Sequence, residues 1–512
     1  MIDETDGLTE KTPAETGLTA EAPAETGLTA EAPAETGLTA EVPAETGLTA
    51  EVPAETGLTA EAPIKKWSLK KQIVDHGMLL VLLLLCAAIS ALTVTDIHPE
   101  DPAAGRQLAK LALQEYGTQP NVLIVVRDTE ADRAFAQAIN DELIAGGGNV
   151  VGIASGTPRS AILQLTQTLA AGENVDVIAT HHFASQWEVL SASRRAQVSD
   201  KPIKVISPPS YRWPSFLTKN NLLSILNQNA PIAIMAIGMT LVIITAGIDL
   251  SVGSLMALAA VVTAVSLRDY LGGVDANGGS VALAFGIGML VCAVVGAVAG
   301  LLITVFKIPP FVATLGLMMV ARGACYILAG GADAVKIDVP AISTLYDASV
   351  LGVSSQIILM VILFITAHVV MTHTPFGRYV YAVGGNVSAA RLSGVPVMAV
   401  LITVYIVCGL CAGVAGVLDA SHFLTGRPKA GEFYELQVIA AVVVGGTSLM
   451  GGEGKILGTL IGALILGVIQ NGLNMAGVDS YRQMVIYGAL ILVAVVVDQL
   501  KKKVINPGVV SD

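Results

Sequence analysis

Charge is scarce in this chain. Only 14% of its 512 residues are charged, where a soluble domain carries about 25%. Aromatic residues make up 5% and cysteines number five, while 53% of residues are hydrophobic. With a mean hydropathy of +0.68, much of the chain belongs in a non-aqueous solvent. There is no basic patch, which excludes a nucleic-acid binder. Cys86, Cys292, Cys325, Cys408 and Cys411 all lie inside apolar runs, so they read as small hydrophobes and not as a disulfide scaffold. Cys408-Gly-Leu-Cys411 has redox-motif spacing, but it sits mid-segment with no strand-to-helix turn before it. The seven histidines form no HExxH pattern. Gly451-Gly452-Glu453-Gly454-Lys455 fails as a phosphate loop, because Leu449 and Ile456 stand where Gly and Ser or Thr are required. No catalytic set, metal site or nucleotide motif is therefore legible, and ATP hydrolysis by this chain is not expected.

The formal net charge of -12 belongs to a tail. Residues 1–63 hold fourteen acids and one base, which leaves 27 acids and 28 bases elsewhere. Residues 14–63 are five copies of AETGLTAEAP, with Val42 and Val52 as the variations. One Leu per ten residues buries no core, and a Pro in every copy prevents a long helix, so disorder is expected. Residues 64–95 carry Lys65, Lys66, Lys70 and Lys71 and then an uncharged run over 77–94. That run is just long enough to span a membrane. It starts too far from the N-terminus for a cleaved signal, and the lysines place its N-terminal side in the cytoplasm.

Residues 96–218 turn soluble in character. NVLIVV at 121–126, 150–153 and VDVIA at 175–179 read as strands. Phe135, Ile139 and Leu143, then Ile162, Leu165 and Leu169, mark two intervening helices. That alternation predicts a small parallel α/β unit, and Pro202, Pro208, Pro209 and Pro214 read as a linker back to the membrane. From there to 503 the chain is almost continuously apolar. Nine further spans are expected near 230–247, 252–267, 281–305, 311–330, 355–372, 397–420, 436–448, 456–476 and 484–498. Those at 252–267 and 436–448 are short enough to be half-helices or re-entrant segments. Ten spans return the C-terminus, with Lys501, Lys502 and Lys503, to the cytoplasm; 504–512 is a tail. The loop over 421–434 fits the charge rule poorly, since it puts Arg427 and Lys429 outside.

Two glycine-broken stretches stand out, TAGIDLSVG at 245–253 and VGGTSLMGG at 444–452. Aligned at Gly247 and Gly446, they share Leu250 with Leu449 and Gly253 with Gly452, and Asp249 faces Ser448. Paired interruptions in the two halves of a membrane protein point to a pseudo-symmetric translocation core, though Gly-rich apolar sequence also matches by chance. The path candidates are Gly247, Asp249, Ser251, Gly446, Thr447, Ser448, Asn471 and Asn474. Asp249 precedes Ser251 and a fresh apolar run, the order of a helix cap. Asn471, Asn474 and Gln470 suit sugar hydroxyls or, more commonly, interhelical hydrogen bonds. Arg322 at membrane depth needs a partner, a carbonyl cluster or water. The loop over 374–396 falls in the cytoplasm by span count. Its residues 386–392 can form a short helix between Gly384-Gly385 and Gly394, suited either to docking a moving partner or to plain connection.

The stretches IGMTLVIITAGIDLSVGS (237–254), IPPFVATLGLMMVARGACYILAGG (308–331), 374–394 and YELQVIAAVVVGGTSLMGGEGKILGTLIGALILGVIQNG (434–472) resemble the ribose/xylose/galactose-type permease subunits of bacterial ABC importers. The resemblance covers roughly 215–500 and the first span. It implies an all-α polytopic membrane protein of about ten helices in pseudo-symmetric halves, forming a homodimer in the bacterial inner membrane. It implies a separate ATPase that holds ATP and Mg, and a periplasmic binding protein that delivers the sugar. No cofactor falls to this chain. It also implies that 388–395 lies in the loop coupled to the ATPase, with Arg378, Asn386, Arg391 and Leu392 as the coupling candidates. The insertion is similar to part of one sugar-binding-protein lobe at 105–109, 122–128 and 172–180. It is expected in the periplasm, and a single lobe cannot close on a sugar. Permeation of a nucleoside or amino acid, or a membrane-anchored sugar sensor, remain the alternatives.

Overall fold

The computed structural model describes residues 69–117, 119–199, 201–350 and 352–505; the repeat tail and the last residues lie outside them. Helix α1 (Leu69–Leu92) leads into a two-stranded antiparallel ribbon of β1 (Val94–Ile97) and β6 (Tyr211–Pro214). Between these strands lie α2 (Pro102–Tyr116), β2 (Asn121–Val126), α3 (Glu130–Ala145), β3 (Asn149–Ser155), α4 (Pro158–Ala170), β4 (Val177–Thr180), two short helices α5 (His182–Ser185) and α6 (Ala192–Val198), and β5 (Lys204–Ile206). The sheet is parallel throughout, in the order β3-β2-β4-β5. Successive residues of β2 point to opposite faces. Val122, Ile124 and Val126 pack under α2 and α3, and Leu123 and Val125 pack on Ala161 and Leu165 of α4. The supposed proline linker differs from expectation: Pro202 and Pro208 bracket β5, so the segment supplies the sheet's fourth strand before it enters the ribbon.

The remaining helices are α7 (Lys219–Ile244), α8 (Val252–Asp269), α9 (Gly278–Thr304), α10 (Pro310–Ala329), α11 (Thr344–Asp347), α12 (Ser355–His373), α13 (Pro375–Gly385), α14 (Val387–Leu392), α15 (Val397–Phe423), α16 (Tyr434–Val444), α17 (Ile456–Met475) and α18 (Ser480–Ile505). Among the described residues, seven are long and apolar enough to cross a membrane: α7, α8, α9, α10, α12, α15 and α17. The chain is thus a polytopic membrane protein. Of the two doubtful spans, α8 has 18 residues and is long enough. α16 has 11, about 16 Å of helix and roughly half a bilayer core.

Burial sorts the helices. For α7, 83% of the apolar window lies inside the protein, against 22% for α10, so α7 is central and α10 is peripheral. α7 is tied to α17 by a reciprocal amide pair, Asn221 with Asn471, at 3.1 and 2.8 Å. Thr240 and Thr459 hydroxyls meet at 2.7 Å, and Asn229 donates to the Ala463 carbonyl at 2.6 Å. Such bonds hold helices together where lipid offers no hydrophobic drive. α9 and α15 approach through small residues: a Cβ on Gly296 would lie 2.3 Å from the Tyr405 carbonyl, and one on Gly409 would lie 2.3 Å from that of Cys292. Cys408 and Cys411 are free and buried in this packing.

Between α15 and α16 the chain runs alongside α8, from Gly426 against Ala260 and Ala264 to Gly431 against Gly253. Leu424, Gly431 and Phe433 take left-handed backbone there. Of the two awkward charges of this loop, Arg427 has partners. Arg427 pairs with buried Asp419 at 2.5 Å and lies over the Phe423 ring at 3.7 Å. Arg322 donates to the Pro428 and Ala430 carbonyls at 2.6 and 2.9 Å, the carbonyl cluster that an Arg at membrane depth requires.

Candidate functional site

α7 and α16 end in the same way. The Gly247 N–H donates to the Val242 carbonyl at 3.0 Å, and the Thr447 N–H donates to that of Val442 at 3.2 Å. One residue earlier, Ala246 donates to Ile243 and Gly446 to Val443, each at 2.9 Å. These are the 6→1 and shorter bonds of a helix closed by a left-handed residue. That residue is Gly446 in one break (φ 90) but Ala246 in the other (φ 59). Gly247 itself does not take a positive φ. The equivalence is therefore Ala246 with Gly446 and Gly247 with Thr447, one residue away from the match of glycine to glycine, and Asp249 falls opposite Leu449 instead of Ser448. Ala pays about 1–2 kcal/mol for left-handed backbone, which is why residue types alone misplace the register.

Gly247 is required for space instead. A Cβ there would lie 2.6 Å from Tyr405 Oη, a residue not singled out in the sequence because it lies about 160 positions away. Tyr405 Oη and Asp249 Oδ2 are buried and have no hydrogen-bond partner among the described residues. Asp249 Oδ1 accepts both the N–H and the hydroxyl of Ser251, at 2.9 and 2.6 Å. Asp249 thus orders the turn into α8, while Ser251 occupies the cap position itself; the carboxylate does not cap the first turn directly.

The two breaks touch. A helix leaves its last four carbonyls without intrahelical partners. In α7 those of Leu241, Val242 and Ile243 are taken by local N–H groups, and that of Ile244 accepts the Gly452 N–H at 2.8 Å from the other break. Thr447 and Ser448 are buried within the second break, and a Cβ on Gly454 would lie 2.8 Å from Thr447 Oγ1. The structure thus joins the break that holds Gly247, Asp249 and Ser251 to the break that holds Gly446, Thr447 and Ser448, through Ile244 and Gly452. It does not bring Asn471 or Asn474 to them. Asn471 lies about 22 Å along α17 from Ile456 and is engaged with Asn221, while Asn474 accepts from Gln483 at 2.8 Å. Both serve interhelical bonding.

Arg378, Asn386, Arg391 and Leu392 are all exposed, Leu392 at 90%. The stretch before Asn386, read as loop, is helix α13. Three glycines disguise it, while Pro375 in its first turn and the Thr374 side chain accepting from Gly377 start it. Gly384 and Gly385 form its last turn. Gly394 (φ 81) does bend the chain after α14. A cleft of 510 Å³ beside Arg391 is lined by Pro396, Val397, Met398, Ala399 and Ile402.

In the α/β unit, the carboxyl edge of the sheet, where such folds hold ligands, is filled by the chain's own side chains. Arg127 donates to Asp132 at 2.8 Å and to Glu100 at 2.6 Å. His181 is fully buried beside both acids, and its Nδ1 accepts the Ala184 N–H at 3.3 Å. Burial holds His181 below its ordinary 6.5. Burial alone would raise Asp132, but hydrogen bonds from Arg127 and Thr129 bring it below the usual 3.8. Both groups bind a proton more readily unfolded than folded, so each stabilises the fold above its unfolded pKa and loses that contribution as pH falls. Loosening is expected to begin below about pH 6.5 through His181, with Asp132 adding to it below about pH 4. Hydrogen exchange on the full chain checks this. Residues 121–126 and 177–180 should lose protection between pH 7.5 and 5.5 after correction for intrinsic rates, and His181→Asn, which keeps a cap acceptor, should abolish the loss. Equal loss in both proteins would contradict it.

The family described as branched-chain amino acid transport system / permease component matches residues 221–495, and the chain belongs to it. It is a transport permease component and not an enzyme. The ribose import permease protein RbsC of Escherichia coli (strain K12) is 45% identical over 294 residues, 56% of this chain and 88% of that one. RbsC of Bacillus subtilis (strain 168) is 43% identical over 294 residues, 56% and 87% of the two chains. The D-allose transport system permease protein AlsC of Escherichia coli (strain K12) is 36% identical over 288 residues, 56% and 86%. No solved structure matches the chain.

Proposed function

We propose that this chain is the membrane-spanning permease of an ATP-driven sugar importer, carrying a ribose-like monosaccharide across the bacterial inner membrane by alternating access. The observation that carries this reading is the 45% identity to a ribose import permease over 88% of its length, beside a family match over 221–495 that contains both helix breaks. Ten crossings, counting α1, α18 and the one made by half-length α16 together with the break that follows it alongside the seven long helices, put both termini in the cytoplasm and the insertion over 96–218 in the periplasm. Two copies enclose the path in pseudo-symmetric halves, with the breaks at Ala246–Ser251 and Gly446–Lys455 lining it. A separate ATPase binds ATP and Mg and docks on α14, whose exposed Arg391 and Leu392 have no other evident use. A periplasmic binding protein delivers the sugar. The filled sheet edge supports an insertion that does not clamp sugar by itself.

Uptake into vesicles containing the chain with its ATPase and binding protein tests the substrate class. Labelled ribose should accumulate, and excess allose or arabinose should compete better than a nucleoside or leucine. Uptake of leucine or a nucleoside with no sugar uptake would replace this reading with the amino-acid or nucleoside alternative.

A further inference from the structure

Three backbones meet where α13 ends. A Cβ on Gly384 would lie 1.8 Å from the Ile244 carbonyl oxygen and 2.7 Å from the Gly452 nitrogen, the two atoms that join the breaks. A Cβ on Gly451 would lie 2.9 Å from both Ala246 Cβ and the Gly384 oxygen. One turn earlier on α13, Tyr381 Oη donates to the Gly454 carbonyl at 2.8 Å. Val380 and Val383 of the same helix are fully buried. One side of α13 is therefore seated on both helix breaks at once.

The joint between α13 and α14 is stiff. The Asn386 N–H donates to the Ala382 carbonyl at 3.1 Å and closes α13. The Asn386 side chain accepts the Ala389 N–H at 2.9 Å, and its carbonyl accepts the Ala390 N–H at 2.9 Å, which together start α14. A single residue ends one helix and caps the next, so the joint has no free residue in which to bend. On its far side α14 closes at left-handed Gly394, where the Gly394 and Val395 N–H groups return to the Arg391 and Ala390 carbonyls at 3.0 Å; a glycine there has the backbone freedom for the chain to turn that Asn386 lacks.

We infer that α13 and α14 form one rigid arm pivoting at Gly394, with Tyr381, Gly384 and Asn386 as positioning residues that make a displacement of α14 move both breaks together. This rests on the proposed function, in which α14 receives the ATPase. A loop that only tethers α12 to α15 would need neither the Tyr381 bond nor a capped elbow. Both breaks respond because their shared bond, Ile244 to Gly452, lies under Gly384.

The test measures labelled-ribose uptake and ATP hydrolysis together in proteoliposomes holding the permease, its ATPase and the binding protein. Tyr381→Phe is expected to raise the ATP consumed per sugar about fivefold, the worth of one hydrogen bond, with hydrolysis itself changed less than about twofold. Asn386→Ala should act in the same direction, and Asn386→Ser, which retains a capping oxygen, should restore coupling. Asn386 is exposed, so this pair decides the matter even if Tyr381→Phe fails to assemble. Unchanged ATP per sugar in Asn386→Ala, in a preparation whose wild type transports, would overturn the rigid arm. Absence of ribose uptake by the wild-type complex would instead overturn the proposed function.

Discussion

Gly247→Ala is expected to cut ATP-driven uptake by about tenfold or more, and Tyr405→Phe is expected to restore most of it. The added Cβ meets Tyr405 Oη at 2.6 Å, and overpacking of this kind costs about 1–3 kcal/mol. Because Tyr405 Oη has no hydrogen-bond partner among the described residues, removing it frees the space without orphaning another group. Gly446→Val should also obstruct transport, for another reason. Nothing lies within 4 Å of a Cβ at Gly446, but its φ is +90°, and a β-branched residue is strained in that conformation. Tyr405→Phe should therefore leave Gly446→Val unrescued. Uptake per unit of permease recovered in the membrane is the measurement. Equal rescue of both variants, or wild-type transport by both, would contradict the geometry of the breaks.

Arg391→Glu is the second large effect. The residue is exposed on a six-residue helix whose only buried member is Ala390, so reversing its charge should leave the chain folded. It should weaken ATPase association by about tenfold or more, as a reversed charge does at an interface. Co-purification from detergent measures this, and Leu392→Ala should move in the same direction. Full ATPase retention with normal transport in Arg391→Glu would remove α14 as the docking element. A misfolded product would mean that the segment is packed and not presented.

Much of the architecture is legible in the sequence because hydropathy reports burial in lipid directly. The seven long helices fall close to the expected spans, and the strands at 121–126 and 149–155 follow from short runs rich in Val and Ile. What escaped notice did so for physical reasons. α13 hides behind glycines that a helix tolerates when neighbouring backbones press against them, as Ile244 and Gly452 press on Gly384. β5 is three residues among prolines, recognisable only beside β4. The register of the breaks was read from matching glycines, whereas the hydrogen bonds match Ala246 to Gly446. Asp249 and Ser251 were legible as a helix start. Tyr405, Tyr381 and the Asp419–Arg427 pair were not, because their significance is a distance across the fold and not a local pattern.

The most direct test of the central claim is accumulation of labelled ribose in proteoliposomes containing this permease and the periplasmic binding protein, with the ATPase subunit present or withheld. Accumulation against a gradient is expected only when the ATPase and Mg·ATP are both supplied. Uptake by the permease without the ATPase, or none with the complete set, would contradict it.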